Sequence, residues 1–419
     1  MLMLCTSTAS FAQLSVEDCY AKAKANYPLI KQYDLIEQTR DYNLSNVARI
    51  WLPQVQLSAK ATYQSEVTQI PIDFSILKPL LGDNLPLIPE LSKNQYGATV
   101  EVSQTIWDGG VTGAKRESIR AKAGTEQKEL EVSLYAVNER VNQLFFGILL
   151  FDAMLEQNRL FQDELQRNYD RVSSCMQNGI ANASDLDVVK VEQLKAKQNR
   201  TQIEHNRKAS VEMLSALIGE KIEENTCFQK PDVRQPFIRE IQRPELAFFD
   251  AQYKNFDAAT KEIKAGLMPK LGLFITGGYG KPGLNMLKDD FSAYYIGGIR
   301  LTWNFSNFYT RKNNLNLIES NHNAIQIQRE TFLFNTLLHK TGKENEIDKY
   351  RELLQSDDEI IALRASVKRA AENKVANGTF HTTDLMREIN AEQMAKQDKI
   401  LHEIEFIQAV YQLKFMTNS

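Results

Sequence analysis

No stretch of this sequence reaches the 18 or so consecutive apolar residues of a membrane-crossing helix. The longest run, Leu144 to Phe151, has eight residues and includes Gly147. If the chain enters a membrane, it does so as a β-barrel. Neither sign of charge dominates: 50 lysines and arginines stand against 53 acids, a net of −3. A nucleic-acid partner would need a basic excess and is disfavoured. Cysteine is scarce. Of four cysteines, Cys5 lies in the leader-like start; the three beyond it, Cys19, Cys175 and Cys227, are odd in number and far apart, so they imply neither a disulfide framework nor a CxxC metal site. His205, His322, His339, His381 and His402 show no i, i+4 pairing. Gly277-Gly278-Tyr279-Gly280 lacks the Lys-Ser/Thr of a phosphate loop and reads as a flexible strand end. No catalytic residue, cofactor or metal site is expected.

What is present is enough to fold: 43% of residues are apolar and 25% charged. Residues 1–12 are apolar and then small, and Ser10-Phe11-Ala12 fits a cleavage site before Gln13. They read as the end of a secretory signal peptide without its basic start.

The most informative feature is an internal duplication. Asn178-Gly179 and Asp185-Leu186 recur as Asn377-Gly378 and Asp384-Leu385 at an offset of 199. Pro28 and Pro53 recur as Pro244 and Pro269 at an offset of 216. One insertion of 17 residues between Pro53 and Gln104 reconciles the two. It falls in the loop from Ser65 to Asn94, with its four prolines. Each copy opens with a helix, Asp18 to Ile50 and Glu245 to Leu267, stopped by a proline. Two strands of period 2 follow. Val55, Leu57, Ala59, Ala61 and Tyr63 alternate with polar residues, as do Tyr96, Ala98, Val100 and Val102. Leu271, Leu273, Ile275 and Tyr279, then Tyr295, Ile299, Leu301 and Trp303, form the second pair.

Helix then takes over. From Leu130 to Met176, steps of 4 and 3 select apolar residues except at Asn158 and Gln162, a sustained coiled-coil seam. Gly110 to Gly179 spans roughly 70 residues, on the order of 100 Å of helix. Helices from Asp185 to Leu217 and from Asp384 to Lys414 return half as far. The division is therefore a first repeat over 13–222, a joining segment over 223–242 and a second repeat over 243–419, intertwined as one domain. Four strands cannot close a barrel alone and would leave two open edges, so closure needs several chains.

These residues resemble the TolC-like outer-membrane efflux family over nearly the whole mature chain. The resemblance rests on Leu14-Ser15-Val16-Glu17-Asp18-Cys19-Tyr20-Ala21, on Trp51-Leu52-Pro53-Gln54-Val55, and on Gln104-Thr105-Ile106-Trp107-Asp108-Gly109-Gly110. It also rests on the two turns, Asn178-Gly179 with Ser184-Asp185-Leu186 and Asn377-Gly378 with Thr383-Asp384-Leu385. It implies an α+β membrane protein with long coiled-coil hairpins. A homotrimer would close a 12-stranded β-barrel in the outer membrane and extend a helical tunnel into the periplasm. The implied function is the passive exit duct of a tripartite efflux or type I secretion system. Its implied partners are outer-membrane lipid, a periplasmic adaptor protein and an inner-membrane pump of RND, ABC or MFS type. Gly179, Asp185, Gly378, Asp384 and Arg387 fall at the periplasmic tips. Phe380 and Arg387 depart from the family, which often has Arg and a second Asp there, so only Asp384 matches its acidic ring.

The same tips satisfy any helix hairpin: a glycine of positive φ, then Ser184 or Thr383 as N-cap, with Asp187 three residues after Ser184. Trp51, Tyr63, Tyr96, Trp107, Tyr295 and Trp303, with Tyr294, stand near strand ends, where interfacial girdles belong. An elongated coiled-coil scaffold and a stand-alone diffusion porin are the competing readings. The signal-like start and alternating strands oppose the scaffold, and the coiled coil opposes the porin.

Overall fold

A computed structural model describes residues 13–68, 91–179, 181–223, 226–233 and 240–418. The expected signal peptide lies outside them, as does most of the Ser65–Asn94 loop. In chain order the elements are β1 (Gln13–Leu14), α1 (Val16–Asn26), α2 (Gln32–Ala48), β2 (Gln54–Tyr63), β3 (Asn94–Trp107) and α3 (Val111–Tyr135). Then come α4 (Val137–Gln177), α5 (Ala183–Ile218), β4 (Cys227–Phe228), α6 (Pro244–Ala265), β5 (Lys270–Lys281), β6 (Ser292–Thr302), α7 (Asn307–Ala376) and α8 (Thr382–Thr417). They divide into two compact units. One comprises 1–34, 127–249 and 326–419, the other 35–126 and 250–325.

The first helix is not continuous from Asp18 to Ile50, as the sequence pattern suggested. Pro28 has no N–H to donate and pushes Tyr27 into extended backbone (φ −63°, ψ 128°), so α1 stops at Asn26. A 3-10 turn over 28–31 then leads into α2, and another over 49–51 ends it. The long helix after Gly110 is likewise two, α3 and α4. Only Ala136 separates them, and its N–H still donates to the Val132 carbonyl at 3.2 Å. α1 begins on a capping box. Ser15 Oγ accepts from the Asp18 N–H at 3.1 Å, and Asp18 returns the favour to the Ser15 N–H at 3.4 Å.

In the first unit the core gathers where α1, α4, α5 and α8 meet. Val141, Phe145, Phe146, Ile148, Cys19, Leu214 and Tyr411 pack together there. The Phe145 ring stands edge-on to Phe146 at 5.7 Å and to Phe228 at 5.6 Å. Phe228 comes from the stretch read as a joining segment. There β4 pairs in parallel with β1, Gln13 opposite Cys227 and Leu14 opposite Phe228. Burial pushes the Cys19 thiol up to about 12, which leaves it unreactive. No residue of the Leu130–Met176 seam is exposed. Its two polar positions are bonded: Asn158 donates to the Ala196 carbonyl of α5 at 3.1 Å, and Gln162 to Asn158 at 2.6 Å. A buried amide that can reach only one carbonyl of the facing helix fixes the register of that pair.

The second unit is built on one antiparallel sheet, ordered β2-β3-β5-β6. The duplicated hairpins join through β3 and β5, with Val100 opposite Gly277 and Val102 opposite Ile275. β3 alternates strictly: Tyr96, Ala98, Val100 and Val102 are exposed, while Gly97, Thr99, Glu101 and Ser103 are half-shielded. This inverts the pattern of a water-soluble sheet.

Phe145→Ala is expected to cost about 3–5 kcal/mol, read as a lower midpoint of thermal unfolding. A loss under about 1 kcal/mol, the size of a surface change, would show that this cluster is not the core of its unit.

Candidate functional site

Two places in the fold carry the features that sequence reasoning singled out. The first is the pair of helix turns. Gly179 and Gly378 have φ of +73° and +69°, and nothing lies within 4 Å of where a Cβ would sit. Their requirement is conformational, not steric. Gly179 N–H donates to the Met176 carbonyl and Gly378 N–H to that of Val375, both at 3.0 Å.

The returning helices start differently from expectation. The N-caps are Asn182 and His381, not Ser184 and Thr383. Asp185, not Asp187, is the acid at the third helical position, where it accepts the Asn182 N–H at 3.0 Å. Asp384 accepts the His381 N–H at 3.4 Å. The reason is local. A side chain with a cap acceptor precedes each Asp by three residues, so the acid bonds back to the cap and each helix begins two residues earlier. Both acids thus already have a helix-start role.

Beneath the turns lies an apolar cluster of Leu165, Val172, Val189, Ala196, Ala371, Leu385, Met386 and Ile389. Phe380 packs against it, half-buried, with the Lys374 ammonium 4.6 Å from its ring centroid. Arg387 points outward with 69% of its side chain exposed, 3.8 Å from Asp384 and 3.4 Å from Glu388. At this turn the charge of Asp384 is therefore balanced within its own helix.

Sequence reasoning missed an ion cluster deeper along the same helices. Lys368 of α7 lies 2.6 Å from Glu164 of α4 and 2.5 Å from Glu392 of α8, and Lys396 reaches Glu392 at 2.7 Å. The Glu392 side chain is only 5% exposed. Burial alone would raise its carboxyl; Lys368 and Lys396 outweigh that and hold it below the usual carboxylate range. Burial would likewise lower Lys368, and Glu164 with Glu392 outweigh it in turn, raising it. Only the Glu392–Lys396 spacing of four was visible in sequence, because Glu164 and Lys368 stand far apart along the chain.

The second place is the sheet. All three tryptophans stand at its helix-side rim: Trp51 just before β2, Trp107 at the end of β3 and Trp303 just after β6. Trp303 Nε1 donates to the Leu267 carbonyl at 3.0 Å. Tyr63, Tyr96, Tyr279 and Tyr295 are exposed toward the opposite, loop-side rim. Trp107 lies eleven residues beyond Tyr96, about 36 Å of strand. At a tilt of about 40° that spans about 28 Å, close to the apolar band of an outer-membrane barrel. Tyr294 is different: its ring covers Gly278 on the other face. That face is polar, with Ser58 and Thr99 hydroxyls 2.7 Å apart and Arg300 paired to Glu101 at 2.8 Å. Among the described residues no group of His, Cys, Asp and Glu is placed to hold a metal, and no helix is long and apolar enough to cross a membrane.

Residues 19–220 match the model of the outer membrane efflux protein family. The matched segment is just under half of the chain's 419 residues. Solved channels share its fold over both halves. The outer-membrane channel OprN matches 96% of this chain and 89% of its own, at 12% identity and a TM-score of 0.68. The outer membrane protein VceC of Vibrio cholerae matches 96% and 94%, at 11% identity and 0.67. The MtrE outer membrane channel of Neisseria gonorrhoeae, solved in its open state, matches 96% and 89%, at 12% identity and 0.65. No curated protein sequence matches the chain. The chain is helix-rich with a few strands, and the solved proteins that share its fold are channels and outer membrane proteins.

Lys368→Met should lower stability at neutral pH by roughly 3 kcal/mol, the low end for breaking a buried pair, since Lys396 remains. Glu392, held low in the folded state, contributes stability that is present above about pH 4.3 and lost as pH falls through its lowered value. The gap between variant and parent should therefore narrow below pH 4 in thermal melts. A gap independent of pH would contradict this.

Proposed function

We propose that three copies of this chain close a twelve-stranded barrel in the outer membrane and carry a helical tunnel into the periplasm. The assembly is a passive exit duct. An inner-membrane pump of RND, ABC or MFS type supplies the energy and a periplasmic adaptor joins the two. The observation that carries this reading is the inverted sheet: apolar residues on the open face, polar residues on the shielded one, and aromatic rims at both ends. The match of residues 19–220 to the efflux family supports it, as does the fold shared with outer-membrane channels.

A further observation favours assembly. α7 exposes Leu317, Ile327, Phe334, Leu337, Leu338, Leu353, Ile360, Leu363 and Val367. Val367, Ile360 and Leu353 recur every seven residues, the spacing of a seam that another helix covers. In this reading Gly179, Asp185, Gly378, Asp384 and Arg387 form the periplasmic mouth. Trp51, Tyr63, Tyr96, Trp107, Tyr295 and Trp303 mark the membrane interfaces. The joining segment 223–242 links two repeats that share one duct.

Cells lacking the chain, with pump and adaptor intact, should retain a compound that the parent expels, and restoring the chain should restore expulsion. Unchanged retention would contradict the duct. Recovery of the chain in the cytosol would favour the scaffold reading.

A further inference from the structure

The segment joining β5 to β6, residues 282–291, carries Leu284, Met286, Leu287 and Phe291, all exposed, Met286 at 63%. Apolar side chains so close together are unusual on a loop that water surrounds. Its direction is fixed by the strands beneath it. Tyr96 pairs with Lys281 and Ala98 with Tyr279, so Tyr96 and Tyr279 share the apolar face with Val100, Val102 and Ile275. The Phe291 ring stacks on both, 6.5 Å from Tyr96 and 5.6 Å from Tyr279. The loop therefore leaves the sheet on its apolar side, away from Thr99, Glu101 and Arg300. Asp289 holds it there. Its carboxylate accepts the Ser92 N–H at 2.9 Å and pairs with Lys281 at 3.1 Å, which clasps the loop to the root of the β2–β3 connection.

We propose that loop 282–291 is a lipid-contacting foot, with Leu284, Met286 and Leu287 against the acyl chains of the outer leaflet, rather than a cover over the barrel mouth. The assignment rests on the barrel reading above. Lipid is the occupant because the loop's apolar surface continues, through Phe291, the tyrosine rim and the apolar rows that a barrel turns toward hydrocarbon. Lys288, beside the apolar residues, is placed to reach the headgroup level with its ammonium. With both hairpin roots clasped on the outer side, this loop leaves the barrel opening unobstructed.

Nitroxide labels test this in the full chain reconstituted in phospholipid bilayers. Cys5, Cys175 and Cys227 are replaced by Ser, and Cys19 is fully buried. Labels are placed by Met286→Cys, by Ile299→Cys on the apolar face and by Thr99→Cys on the polar face. Collisions with oxygen, enriched in lipid, are compared with those of a water-soluble nickel chelate. Oxygen should dominate severalfold at 286 and 299, and nickel at 99. Nickel dominance at 286 with oxygen dominance at 299 would overturn the foot alone. Shielding of 286 from both reagents would mean that a neighbouring copy covers it, and would overturn the foot as well. Nickel dominance at 299 would overturn the barrel reading, and the foot with it.

Discussion

A sheet of four strands has two outer strands, and here both are long enough to matter. Among the described residues, β2 and β6 each present one edge of peptide groups with no strand beside it. In water such edges are tolerated; in hydrocarbon each unpaired N–H or carbonyl costs several kcal/mol. The apolar residues of β3, β5 and β6 face outward, which suits hydrocarbon and not water. These two facts conflict within a single chain; in the proposed assembly other copies supply the missing edges. The open edge is the constraint on which the rest depends.

The helices answer a different demand. A helix of 70 residues such as α7 has no use in a small globule, yet it fits a duct that must cross an aqueous gap. Its counterpart runs through α3 and α4, joined at Ala136 with hydrogen bonding nearly intact. Packing along such lengths can slip by a turn, because apolar seams are repetitive. Asn158 bonded to the Ala196 carbonyl, and Lys368 held between Glu164 and Glu392, give α4, α5, α7 and α8 one preferred register. At the turns, two glycines of positive φ and two acids bonded to their own caps make compact tips. Arg387 and Phe380 replace charge at the second tip with an internal ion pair and a ring packed under Lys374.

Much of this was legible in the residues themselves. The alternation from Tyr96 to Val102 and the seam from Leu130 to Met176 depend only on local period, and both stand as read. So does the turn role of Gly179 and Gly378. What failed was also local. Hydroxyls are common caps and point to Ser184 and Thr383, whereas Asn182 and His381, three residues before Asp185 and Asp384, are the caps. Pro28 marks the repeat in sequence, and its ring also breaks the first helix, which a reading of periodicity from Asp18 to Ile50 passes over. The Lys368 cluster and the Phe291 stack were beyond reach for another reason. They join residues from different elements, and no periodicity within one element records them.

The central claim is that β2 and β6 pair between copies. Native mass spectrometry of the protein extracted from membranes in mild detergent tests it most directly. The account predicts a particle of three chains, three times the mass of the mature polypeptide. A monodisperse monomer or dimer that keeps its full strand content by infrared spectroscopy would contradict it.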